Sequence, residues 1–246
     1  MDSKTNSIFQ IIRSALSLFQ EKGFDATSIR EIASASGVSL GMVNHYFGNK
    51  EFLGTKCLEL LSEYAMSGIS SVAPLEEDPI LNDLLCVRTL YKYLHLHGYE
   101  LFYQDSLKND FFFKYLSDKP TILIRLLSKQ YNIEASEDEI QLYSRYMPYM
   151  MEKTLVLKKA EGLFATIDGE HIPYLIVSTA LHHFIPEKDV ACRDAESIRI
   201  AEELVAPLLP VIPDDFLMDF VSRYIQKLET TNASQKASWI RKMNSI

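Results

Sequence analysis

Between Ser28 and Asn49 the chain places three helix starts and two helix stops, and this punctuation leaves it little freedom there. Ser28 and Glu31 fit a capping box, in which serine and glutamate side chains each satisfy the other residue's backbone N–H. Thr27 is a rival cap one residue earlier. Gly37 and Gly48 supply the stops, and Ser39 and Asn49 the next two caps. The spacing predicts a helix from near Ser28, a second from Ser39 to about Tyr46, and another from Asn49 towards Tyr64. Ile29, Ile32 and Ala33 give the first a buried face, and Val43 and Phe47 do so for the second. Upstream, Ile8, Ile11, Ile12, Ala15, Leu18 and Phe19 recur at helical spacing, and Gly23 closes that helix.

A helix of about two turns, braced between others, is a way of presenting side chains to a groove. In a helix-turn-helix the second helix enters the DNA major groove through its N-terminal residues. Leu40, Gly41, Asn44 and His45 lie near one side of that helix. Asparagine can bond adenine bidentately, and apolar groups can touch the thymine methyl. Gly41 permits close approach of a backbone. Ser28 and Ser39 sit at helix starts, where free N–H groups favour phosphate. Arg30 faces either phosphate or solvent, and the Tyr46 hydroxyl either reaches phosphate or the ring packs. Lys50 opposes the dipole of its helix at a cost of about a few tenths of a kcal/mol. A phosphate nearby would account for it.

Residues 23–53, "GFDATSIREIASASGVSLGMVNHYFGNKEFL", resemble the DNA-binding signature of the TetR-type bacterial transcriptional regulators. That family shares a glycine-aromatic pair, a T-[ST]-x-x-x-I-A helix and an A-G-V-S-x-G-x-x-Y-x-Y-F-x-x-K-E-x-L run. The matching positions are Gly23, Phe24, Thr27, Ser28, Ile32, Ala33, Gly37, Val38, Ser39, Gly41, Tyr46, Phe47, Lys50, Glu51 and Leu53. Two positions depart: Asn44 stands where tyrosine is usual, and Ser36 where alanine is common. The resemblance covers about the first sixty residues. It implies an all-α homodimer, with a three-helix DNA-binding head and a larger helical body that binds a small ligand and carries the dimer interface. The expected division is a head at 1–48, a connecting helix at 49–73 and the body at 74–246.

The net charge is −8, with 25 Lys and Arg against 33 Asp and Glu, which excludes a chain coating nucleic acid along its length. Residues 1–60 hold six of each sign, so the head is neutral and the body carries the excess. Three separated cysteines form no metal or disulfide framework. The polar start lacks a signal-peptide pattern and no apolar run reaches membrane length, so a soluble, cytoplasmic protein is expected.

Beyond a linker at "PLEEDP", helices are expected near 80–94, 121–131, 136–164, 174–185, 194–209 and 214–229, with a kink at Pro148. The polar C-terminus is expected to fray, with Trp239 and Ile240 able to dock. Tyrosine, phenylalanine and methionine crowd residues 91–151, which suits an adaptable pocket for an apolar or aromatic ligand. Tyr143, Tyr146, Met147 and Met150 share one helix side and form the expected wall. The expected dimer helices are 174–185 with either 194–209 or 214–229. The six histidines lack helical metal-pair spacing, and no nucleophile elbow, phosphate loop or dinucleotide loop occurs. Neither metal, cofactor nor enzyme activity is expected.

The reading that follows is a homodimeric repressor, released from a near-palindromic operator by a small molecule. An architectural or cell-cycle DNA-binding protein controlled by a protein partner is the alternative on the same fold. A helical protein whose helix-turn-helix likeness is coincidental would bind no DNA.

Overall fold

The computed structural model describes the backbone of residues 2–117, 119 and 121–243, and the side chains of those up to Thr230. Every regular element among them is helical, and no strand occurs. Helix α1 (Ser3–Lys22) is capped by Asp2 and stopped by Gly23 at φ 79°. Helices α2 (Ile29–Ser36), α3 (Leu40–Phe47) and α4 (Lys50–Ala65) begin at Ser28, Ser39 and Asn49. Ser28 and Glu31 close the capping box in both directions, so Ser28 and not Thr27 is the cap. The Thr27 hydroxyl is buried and donates to the Gly23 carbonyl. Ser36, in the slot where alanine is common, returns its hydroxyl to the Ile32 and Ala33 carbonyls. That satisfies a buried polar group without enlarging the slot.

The body follows from a single turn, α5 (Ile69–Val72). Helix α6 (Pro79–Leu96) is its spine. Next come α7 (Glu100–Lys108) and α8 (Phe111–Ser117), two elements not expected from the sequence, then α9 (Ile122–Gln130) and α10 (Glu137–Gln141). Residues Leu142–Tyr146 form a π-helical turn that runs into α11 (Met147–Ala160). The expected kink at Pro148 takes this form: proline offers no N–H to the carbonyl four residues back, and its ring crowds it. The helix widens instead, and the Met147 N–H donates to Leu142, five residues back.

A 3-10 turn leads to α12 (Ile172–Leu181), followed by α13 (Glu187–Val205) and α14 (Asp214–Met243). The backbone of α14 continues through the stretch expected to fray. Trp239 and Ile240 lie outside the residues whose side chains are described.

Helices nominated for dimerisation bury their apolar faces inside the chain. In α12 these are Ile172, Ile176, Val177, Ala180 and Leu181, and α13 lies along α6 through Val190, Ile200, Ala201 and Val205. Leu217, Phe220, Val221 and Tyr224 of α14 join the same core as α1 and α4.

One apolar core runs from head to body. Phe19 of α1 stacks on Phe102 of α7 at 4.8 Å between ring centres, and Phe24 meets Phe111 of α8 at 4.6 Å. Gly54 of α4 sits beneath this contact, where an added Cβ would come within 2.9 Å of the Phe24 ring. The corner after α1 is pinned by polar contacts too: Asp105 accepts the Asp25 N–H, while Asp25 accepts from Lys108 and Asn109.

Candidate nucleic-acid interface and the cavity behind it

Helix α3 is a two-sided element. Val43 and Phe47 are buried, and they fix the helix against α2 and α4. On the other side Ser39, Gly41, Asn44 and His45 are exposed and Leu40 is half-buried. The Asn44 side chain has no hydrogen-bond partner among the described residues, and neither has the exposed guanidinium of Arg30 on α2. His45 lies edge-on to Tyr46 at 5.1 Å. The Ser39 side chain caps α3 through the Met42 N–H. Ser28 similarly caps α2 through Glu31, whose carboxyl is held at about 2 by Lys22 and by the Ser28 N–H and hydroxyl.

A shallow open depression joins these parts. It is floored by Asp25, Thr27 and Ile29 and rimmed by Ser28, Asn44, Asn49 and Lys50. The exposed start of α2 and the exposed asparagine of α3 thus share one concave surface. Gly41 is exposed in the first turn of α3, and a Cβ there would meet nothing nearer than the Ser39 hydroxyl at 3.8 Å. Glycine inside a helix costs about 0.5–1 kcal/mol relative to alanine. Nothing among the described residues calls for that cost.

Two residues expected at phosphate also make contacts within the chain. The Lys50 ammonium donates to the carbonyls of Phe24 (2.9 Å) and Thr27 (2.8 Å) and lies 4.1 Å from the centre of the Phe24 ring. It ties α4 to the corner before α2, and this tie accounts for a cation at an unfavourable helix end. Tyr46 is half-buried against the core, and its carbonyl accepts the Tyr224 hydroxyl from α14 at 2.7 Å. Tyr224 also stacks on Phe47 at 5.5 Å, so the C-terminal end of α3 is held by the last helix.

Behind the head, the body encloses a partly open cavity of about 490 Å³ between α6, α8, α9, α11 and α12. Val87, Leu90, Tyr91, Tyr103, Phe112 and Tyr115 give it an apolar and aromatic wall. Tyr143 lines it as well, but its three expected companions do not. Tyr146 and Met150 are 51% and 58% exposed on the outer side, and Met147 is half-buried away from the cavity. The π-turn is the physical reason: it changes the register, so Tyr143, Ser144, Pro148 and Glu152 face inward instead.

Two carboxylic acids reach this cavity, Asp83 from α6 and Glu152 from α11. Burial pushes both up to about 7. Glu152 accepts a hydrogen bond from the Tyr103 hydroxyl, which partly opposes its shift. No group of three or more potential metal ligands occurs among the described residues, and no helix there is long and apolar enough to cross a membrane.

The model of the family described as "Bacterial regulatory proteins, tetR family" matches residues 11–53, the span of α1 to the start of α4. Residues 11–53 therefore carry a tetR-type DNA-binding head. The chain is similar to "HTH-type transcriptional repressor AcnR" of Corynebacterium glutamicum, at 30% identity over 95 residues. That alignment takes in 35% of this chain and 50% of the relative. "HTH-type transcriptional repressor KstR2" of Rhodococcus jostii is 32% identical over 109 residues, 41% of this chain and 50% of the relative. "Probable HTH-type transcriptional regulator YttP" of Bacillus subtilis is 39% identical over 61 residues, 25% and 28% respectively. The chain therefore spans half or less of the length of these curated relatives, all of which are transcriptional regulators. Among solved structures, a gamma-butyrolactone receptor (ArpA like protein) aligns with a TM-score of 0.47 at 14% identity, over 82% of this chain and 100% of that one.

Proposed function

We propose that this tetR-type chain is a homodimeric, ligand-responsive DNA-binding repressor, and that α3 reads the major groove of a near-palindromic operator. The observation that carries the reading is the outer face of α3. An asparagine without a partner and a glycine without an internal reason lie beside two serine-capped helix starts. Asn44 and Leu40 would meet base edges, with His45 beside them. Ser28 would meet phosphate at the depression where the α2 start is open, and Ser39 and Arg30 would do so beside it. In a dimer the two α3 helices would have to reach grooves about 34–36 Å apart.

The cavity supports control by a small molecule over control by a protein partner. Its volume lies within the ~300–1,000 Å³ of organic-ligand sites, and its wall is apolar with a few polar groups. Helix α8 supports a route to the head. Phe112 and Tyr115 line the cavity, while Phe111 of the same helix packs on Phe24. Phe24 in turn carries Lys50. A ligand that favours another position of α8 would shift the corner from which α2 and α4 are set. It lowers DNA affinity only by the difference in its affinity for the two forms.

The test is selection of duplexes from a random DNA library by the purified protein, followed by binding against salt. The reading expects an inverted repeat whose affinity falls steeply as salt rises. Salt-sensitive binding without a shared sequence would favour the architectural reading. No binding at any salt by protein freed of small molecules by refolding would sink the DNA-binding claim.

A further inference from the structure

We propose that the cavity takes a cationic ligand, an organic amine or ammonium whose apolar frame fills the aromatic wall and whose charge is drawn by the two uncompensated acids of that wall, Asp83 and Glu152. This rests on reading the cavity as the ligand site, and it adds the chemical class.

The first observation is the pair of acids. Asp83 stands at i, i+4 and i+7 with Val87 and Leu90, so its carboxyl shares the apolar, cavity-facing side of α6. It accepts no hydrogen bond from any described residue. Glu152 is buried on the facing helix α11, and its partner is a hydroxyl, that of Tyr103. Among the described residues neither acid is paired with a cation.

The second observation is where the nearby cations go. Arg88, one turn along α6 from Leu84, is spent on Ser197, Glu170 and Asp194. Lys119, which also lines the cavity, lies 4.7 Å from the Tyr115 ring centre and 3.9 Å from Glu59. Glu63, another lining residue, is paired with Arg223. Among the described residues none of these cations is paired with Asp83 or Glu152.

The third is a hydroxyl without a partner. The Ser144 Oγ is buried, makes no hydrogen bond, and belongs to the π-turn that lines the same cavity. It offers an acceptor to an ammonium N–H.

These observations decide among ligand classes. A purely apolar ligand would displace water from Asp83 and leave the carboxyl buried and unpaired, which is costly. An anion would add a like charge to two acids. A cation gains a carboxylate as counter-charge and the faces of Tyr91 and Tyr103 as a cation–π lining. Burial against no cation raises both carboxyls to about 7, and a bound ammonium would lower them again.

Three probes share one frame and differ in charge: 4-phenylbutylamine, 4-phenylbutanol and 4-phenylbutyrate. Their binding to the full chain is measured by titration calorimetry, in the wild type and in Asp83→Asn and Glu152→Gln. The amine should bind at least tenfold more tightly than the alcohol, and the butyrate more weakly than either. At least one of the two variants should weaken the amine at least tenfold, and both should leave the alcohol within about twofold. Thermal melting confirms that the variants fold, and two isosteric changes on different helices guard against one local artefact. If the alcohol binds as well as the amine, or if both variants hold the amine at full affinity, the charge assignment is overturned while the cavity remains a ligand site. If none of the three binds at millimolar concentration, the ligand-site reading fails and takes the cation with it.

Discussion

The Lys50 ammonium bridges the carbonyls of Phe24 and Thr27, three residues apart in the corner that precedes α2. It therefore serves the head as an internal tie between α4 and that corner. Charge-assisted hydrogen bonds of this kind are worth about 1.5–3 kcal/mol. Lys50→Met should destabilise the chain by about 1–2 kcal/mol in urea unfolding, allowing for its partial exposure. It should also leave the salt dependence of DNA binding unchanged. A slope reduced by about one would instead make Lys50 a phosphate contact.

Gly41→Ala separates the needs of the fold from those of the groove. The site is helical and open, so alanine should raise stability by up to about 0.5–1 kcal/mol. DNA affinity should fall, because the added methyl stands on the surface that approaches the duplex. Equal or better DNA binding by this variant would place the interface elsewhere.

The Tyr224 hydroxyl reaches the Tyr46 carbonyl across 178 residues of sequence. Tyr224→Phe keeps the stacking on Phe47 and removes this one bond, so about 1 kcal/mol of stability should go. Amide exchange at the end of α3 should quicken more than exchange within α6. Uniform quickening would mean a global loss of stability without a local tether.

Asp83 makes stability depend on pH. Burial raises its carboxyl from 3.8 to about 7, so the folded chain keeps a proton that the unfolded chain gives up. Its contribution is fully present below about pH 4 and is lost as pH rises through about 7. Asp83→Asn removes that loss. The variant should be more stable than wild type by about 1–3 kcal/mol at pH 8, after discounting for water in the cavity, and should converge with it near pH 4. A gap of the same size at both pH values would remove titration as its cause.

The head was legible because its signals are local. Ser28, Ser39 and Asn49 cap within three residues of themselves, and Gly37 and Gly48 stop helices at positive φ. The Lys50 tie is not legible, because its partners are carbonyls 23 and 26 residues away, which spacing cannot show. The wall of Tyr143, Tyr146, Met147 and Met150 assumed an unbroken α-helical period. Pro148 was seen as a kink, whereas it widened the preceding turn and moved Tyr146 and Met150 outward. Helices α7 and α8 were missed because residues 99–117 pack aromatics on several sides and show no clean amphipathic stripe. Asp83 did leave a sign, an acid at i, i+4, i+7 with Val87 and Leu90, where an ordinary buried face would be apolar.

The central claim is that α3 reads DNA sequence through its outer face. Its most direct test is fluorescence anisotropy of the selected duplex and of single-base variants, for wild type and Asn44→Ala, across a range of salt. The account predicts that Asn44→Ala loses about 1–3 kcal/mol of discrimination at one base pair in each half-site and keeps the wild-type salt slope. Loss of affinity by the same factor on every sequence, or wild-type discrimination in the variant, would contradict it.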